Sequence, residues 1–131
     1  MTDNQSFVPA SLANPEKREE LILYLKELAA EDPKEFWRKD RERGLVSGID
    51  QIFHFFFDDN DFDDGDIGAS LLDSKEVSSI HEVKSLLDAM LTDLPNGDDA
   101  DFVKHSLWPS LRAKTRAALS IFETPEPSPP N

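Results

Sequence analysis

The chain has 131 residues, 27 of them acidic and 14 basic, a formal net charge of −13 and no cysteine. This length suits one domain with a real core. The charge disfavours nucleic acid and anionic membranes as direct ligands and favours basic protein surfaces, while the missing cysteine excludes a disulfide scaffold, a thiolate metal site and a cysteine nucleophile.

Residues 1–13 are polar and irregular, which predicts a flexible N-terminal segment. Met1 to Arg18 does not join a basic start to an apolar stretch, so no secretory signal is expected. Apolar runs stay far short of the roughly 20 residues of a membrane span, and a soluble cytoplasmic protein is the expectation. Asn14-Pro15 has the form of a helix cap followed by proline in the first turn. Leu21, Tyr24, Leu25 and Leu28 then mark one face of an amphipathic helix ending near Ala30. Asp32-Pro33 repeats the start signal, and a short helix carrying Phe36 and Trp37 should stop at Gly44, a good C′ residue. Its outer face holds Arg38, Lys39, Arg41 and Arg43, broken by Asp40 and Glu42, and reads as a solvated surface of mixed charge.

Ser47 is placed to cap a third helix, with Asp50 near its positive end. At about 100° per residue, Ile49, Ile52, Phe53, Phe55, Phe56 and Phe57 fall within an arc of roughly 200°. The opposite stripe holds Asp50, Gln51, His54 and Asp58. So wide an apolar arc predicts a central helix, and at roughly 1.5–3 kcal/mol per buried phenylalanine it should dominate stability. The segment Asp58 to Asp66 holds six aspartates and no base. Gly65 and the crowded like charges predict a loop there, with Ile67, Leu71 and Leu72 packing over the core.

Asp73-Ser74-Lys75-Glu76 has the form of a capping box. The helix it opens buries Val77, Ile80, Val83, Leu87, Met90, Leu91 and Leu94 and ends at Pro95-Asn96-Gly97. A short helix after Asp99 turns Phe102 and Val103 inward. The last helix starts around Ser106 and Pro109, with Trp108, Leu111, Ala118, Leu119 and Phe122 inside and Arg112 and Arg116 outside. Residues 124–131 are too rich in proline for a helix and should be disordered. The reading is all-α: a single compact domain of five or six helices over residues 14–123, between two disordered tails.

Charge divides unevenly, with ten acids against eight bases in residues 1–43 and seventeen against six in residues 44–131. The acidic surface therefore belongs to the later part of the chain, centred on Asp58, Asp59, Asp61, Asp63, Asp64 and Asp66 and extended by Asp98, Asp99 and Asp101. Calcium fits neither available register of the loop. Counting from Asp59 puts Asp64 where glycine belongs and Ser70 where glutamate belongs, and counting from Asn60 puts Phe62 at a ligand position. Asp50, His54 and Asp58 lie at i, i+4, i+8 and offer a second metal reading, against two ordinary surface pairs.

Phosphate loops, metalloprotease helices, nucleophile elbows and cysteine nucleophiles are all missing from the sequence, and no cofactor is expected. Ile67-Gly68, Leu72-Asp73, Glu76-Val77, Asp101-Phe102, Trp108-Pro109 and Ala117-Ala118-Leu119 resemble small uncharacterised acidic helical bacterial proteins, in the style of toxin-immunity proteins. The resemblance spans roughly residues 50–122 and carries over no functional residue. The leading expectation is a non-enzymatic module that docks its acidic loop on a basic protein, with neutralisation of a toxin as the concrete form. The alternatives are a metal- or small-ligand-binding protein using Asp50, His54, Asp58 and the loop, and an oligomer joined through its aromatic residues.

Overall fold

Two helices begin as the local chemistry dictates. Asn14 and Asp32 each accept a backbone N–H from the first turn of the helix they precede, and Pro15 and Pro33 follow them. The computed structural model describes residues 9–45 and 47–123. The flexibility expected for residues 1–8 and 124–131 lies outside the described residues. Among those described there are six α-helices: α1 Pro15–Ala29, α2 Pro33–Glu42, α3 Ile49–Phe53, α4 Ser74–Asp93, α5 Asp99–Val103 and α6 Trp108–Glu123. They form one compact all-α domain. None is long and apolar enough to cross a membrane.

α6 packs between α1 and α4. It runs antiparallel to α1, because Arg112 near its start and Arg116 at its middle donate to the carbonyls of Glu31 and Ala29 at 3.1 and 3.3 Å, while Arg18 lies against Phe122 at the other end. The two arginines expected on the outer surface thus satisfy backbone acceptors at the C-terminal end of α1. α2 packs on α1 and α5, and α3 on α5. One contiguous core of buried side chains draws on all six helices.

Gly44 ends α2 at φ +84°. Its N–H donates to Arg41 O at 3.0 Å and that of Leu45 to Asp40 O at 3.0 Å, the paired bonds of a Schellman motif.

Three local expectations are corrected. Ser47 does not cap α3; its hydroxyl donates to Asp40 at 3.1 Å. The position before α3 is Gly48 at φ +141°, and the first N–H of the helix, from Ile49, donates to Asp99 Oδ1 at 2.9 Å. At φ +141° an L side chain would be strained, so the backbone conformation selects glycine there. Second, the Phe-rich helix does not continue as an α-helix. It widens into a π-helical turn over His54–Asp59, closed by the Asn60 amide donating to Phe55 O at 3.0 Å. The change of pitch keeps Phe55 and Phe56 buried but leaves Phe57 37% exposed. Third, the end of the expected flexible leader is anchored. Residues Pro9–Ser11 form a 3₁₀ turn, Leu12 is buried, and the N–H groups of Ala13 and Asn14 donate to Gly68 O and Ala69 O at 2.9 and 2.8 Å.

Candidate functional site

The acidic segment is a shaped element as well as a charged one. Phe62 sits inside it at φ +54°, unusual for a bulky residue, and is buried against Phe55 and Phe56 at ring distances of 5.4 and 6.0 Å. The backbone strain is worth roughly 1–3 kcal/mol, and burial of the ring offsets it. Asp64–Asp66 forms a 3₁₀ turn rather than open loop. Asp63 accepts from Gly65 N, and Asp66 Oδ2 accepts from Asp63 N at 3.0 Å, a reciprocal cap that overcomes the local charge crowding. From α4, Lys84 Nζ donates to Asp61 O at 2.9 Å and lies over the Phe57 ring. Burial pushes the Lys84 pKa down, against the upward pull of Asp61, Asp63 and Asp66.

The six loop aspartates therefore divide. Asp63 and Asp66 hold the turn, and Asp58 pairs with His54. The side chains of Asp59, Asp61 and Asp64 are exposed and make no hydrogen bond or ion pair with a described residue. The expected extension to Asp98, Asp99 and Asp101 is spoken for. Asp98 and Asp101 form a second reciprocal cap at α5, and the hydrogen bonds from the Asp101 backbone lower the Asp98 pKa. Asp99 accepts from Ile49 N and pairs with Arg41.

Of the stripe Asp50, His54 and Asp58, the structure joins His54 to Asp58 and leaves Asp50 apart. His105 is held elsewhere, donating from Nε2 to Asp93 at 2.8 Å and accepting Leu107 N at Nδ1. Among the described residues no three His, Asp or Glu side chains are grouped as a metal site would need. Of the four bases on the outer face of α2, three are paired within the fold: Arg38 with Glu35 and Glu42, Arg41 with Asp99 and the Ser47 carbonyl, and Arg43 with Asp40.

Two buried carboxylates escape local sequence reading. Glu76 occupies the last position of the capping-box motif, and its N–H does donate to Asp73 at 3.1 Å. Its side chain instead accepts two bonds from the Arg18 guanidinium, at 2.7 and 2.8 Å, and one from Leu72 N at 2.8 Å. Arg18 also donates to the carbonyl of Ser70 at 3.2 Å. The pair ties α1 to α4 and to the segment between Ile67 and Leu72. A signal was readable: Arg18 lies three residues before Leu21 and Glu76 four before Ile80, so each charge continues its helix's apolar stripe.

Glu27 is the second. Only 9% exposed, it accepts the Trp37 indole N–H at 2.8 Å. No described Lys, Arg or His forms an ion pair with it. Burial pushes its carboxyl up to about 7, with the Trp37 hydrogen bond pulling down and Asp40 pushing further up. Glu27 opens on a groove of about 480 Å³ between α1 and α2, lined also by Glu20, Leu23, Tyr24, Phe36, Asp40, Arg43 and Leu45. Burial raises the Tyr24 pKa, and so do Glu20, Glu27 and Asp59. The Tyr24 ring meets that of Phe55 at 4.5 Å, tilted by 40°, and Tyr24 feels the charge of Asp59, so the groove and the start of the acidic loop adjoin at this residue.

Comparisons with protein-family models, with curated proteins and with solved structures find no significant match to this chain.

Proposed function

We propose that this chain is a non-enzymatic acidic interaction module that docks on a basic protein surface, with an immunity-type inhibitor of a toxin as its concrete form and the cytoplasm as its place of work. The observation that carries the reading is the display of Asp59, Asp61 and Asp64 on a segment whose shape other residues fix. Phe62, the Asp63–Asp66 cap and Lys84 hold the backbone. The outward aspartates are then free to meet a partner without first ordering a loop. Charge of one sign on a fixed surface speeds capture of an opposite surface at low salt and selects against acidic partners. A protein that grips nucleic acid must carry a basic surface, and an acidic module can occupy it by charge mimicry.

The test replaces Asp59, Asp61 and Asp64 by Asn and leaves Asp63 and Asp66 to hold the turn. Both chains are used to capture proteins from extracts of the source organism at low and high salt. The reading expects a basic protein bound by the native chain at low salt, released at high salt and lost from the variant, with helicity unchanged. Equal capture of that protein by both chains would remove the loop as its docking site.

A further inference from the structure

The α1–α2 groove combines exposed apolar walls with a buried carboxylate. Three of the four large apolar side chains that the described surface exposes, Leu23, Phe36 and Leu45, line it. At its floor lies Glu27, more than nine-tenths buried and, among the described residues, bonded only to a neutral indole. Buried carboxylates are ordinarily matched by a cation or several N–H donors, and Glu76 in this same domain has both. The groove's own cation, Arg43, is 73% exposed and pairs with Asp40 at 3.8 Å. Asp40 also accepts the Ser47 hydroxyl, and Glu20 is bridged to Lys17 on the surface. Glu27 is thus the acceptor that the fold leaves without a cation, in a recess with apolar walls.

We infer that this groove receives one lysine or arginine side chain from an apolar-flanked segment of the partner, with the cation at Glu27 and the flanks on Leu23, Phe36 and Leu45. The inference rests on the reading of a basic partner and adds a pocket that sets which basic segment is accepted. The aliphatic stem of lysine or arginine matches apolar walls while its head seeks a carboxylate. The ionisation of Glu27 fits this role: burial, with Asp40 adding to it, raises the carboxyl pKa to about 7, and an arriving ammonium or guanidinium would favour the charged form and release a proton. The groove adjoins the acidic loop at Tyr24, so one partner can engage both.

The probes are N-acetylated, C-amidated tripeptides: Leu-Arg-Leu, Leu-Lys-Leu and the uncharged isostere Leu-citrulline-Leu. The readout is the Trp37 indole N–H resonance, with that of Trp108 as internal control for the fold. At about 0.15 M salt, where exposed charges are screened beyond about 8 Å, the two charged peptides should move Trp37 saturably and leave Trp108 in place. They should bind at least about tenfold tighter than the citrulline peptide. Glu27→Gln should reduce that preference to within about twofold, and Leu23→Ser, on the groove wall, should weaken all three peptides. The chain carrying Asn at 59, 61 and 64 should keep the charged-peptide preference, which separates failure of the groove from failure of the loop. Equal binding of arginine and citrulline peptides to the native chain would overturn the inference. So would a preference that survives Glu27→Gln, or a Trp37 signal unmoved up to about 10 mM peptide, beyond the millimolar range of weak contacts.

Discussion

Glu27 and Glu76 are the same residue type, each on a helix and each buried, yet they stand in opposite situations. Glu76 receives two guanidinium N–H bonds and a backbone N–H, so its charge is balanced within the fold. Glu27 receives one indole N–H and has a second acid, Asp40, nearby. The first arrangement fastens α1 to α4 and leaves nothing for a ligand to supply. The second leaves a defined requirement, a cation, at the floor of a groove that opens to water. Burial of a charged side chain is therefore not informative by itself; what matters is whether the fold has completed its partners.

The largest expected effect comes from undoing the completed pair. Glu76→Ala leaves Arg18 buried without a counter-charge and should cost about 3–5 kcal/mol in urea unfolding. Adding Arg18→Met should recover much of that loss, because the penalty lies mainly in the stranded charge. A double variant no more stable than Glu76→Ala would show that shape, rather than charge balance, holds this junction.

Glu27 predicts an effect of the opposite character. Its folded-state pKa, about 7, lies above its ordinary value of 4.5, so the folded state binds more protons than the unfolded state between these pH values. The stability it contributes is full below pH 4.5, falls as the pH rises through 7, and is then level. Discounted for the water that reaches it from the groove, the loss is on the order of 1–2 kcal/mol. Glu27→Gln keeps an acceptor for Trp37 and removes the titration, so the difference in stability between variant and native chain should grow in the variant's favour from pH 4.5 to 7. A constant difference across that range would contradict the comparison. The smallest effect belongs to a site with no charge at stake. Gly44 sits at φ +84° with open space around it, so Gly44→Ala should cost only about 1 kcal/mol of backbone strain, read as a shift in the urea midpoint.

These cases also mark how far the sequence reaches. Asn14-Pro15, Asp32-Pro33, Gly44 and Asp73 act within a few residues of themselves, and the helix boundaries they announce are found. The apolar stripes of α4 and α6 are likewise local periodicities, and their central residues are buried as expected. What sequence missed is what depends on distant partners. Asp99 caps α3 from fifty residues away, displacing the nearby Ser47. The π turn over His54–Asp59 rotates Phe57 outward, which no constant angular step can anticipate. Phe62, set among aspartates, anchors a segment whose composition spoke only of water. Among the acids, the loop's charge was legible but its division into turn-holding Asp63 and Asp66 and outward Asp59, Asp61 and Asp64 was not. Glu27 carried no local signal, since the partner of its carboxylate, Trp37, comes from the next helix.

The claim that Glu27 is a buried carboxyl awaiting a cation is tested most directly at the indole bonded to it. The Trp37 Nε1–H resonance should be followed from about pH 3 to 9 by heteronuclear NMR, with Trp108 on α6 as the reference, because Trp37 and not Trp108 donates to Glu27. The account predicts an inflection of Trp37 near pH 7 that disappears in Glu27→Gln and is missing from Trp108. An inflection at the ordinary carboxyl value of 4.5, or a shift at pH 7 that survives Glu27→Gln, would contradict it.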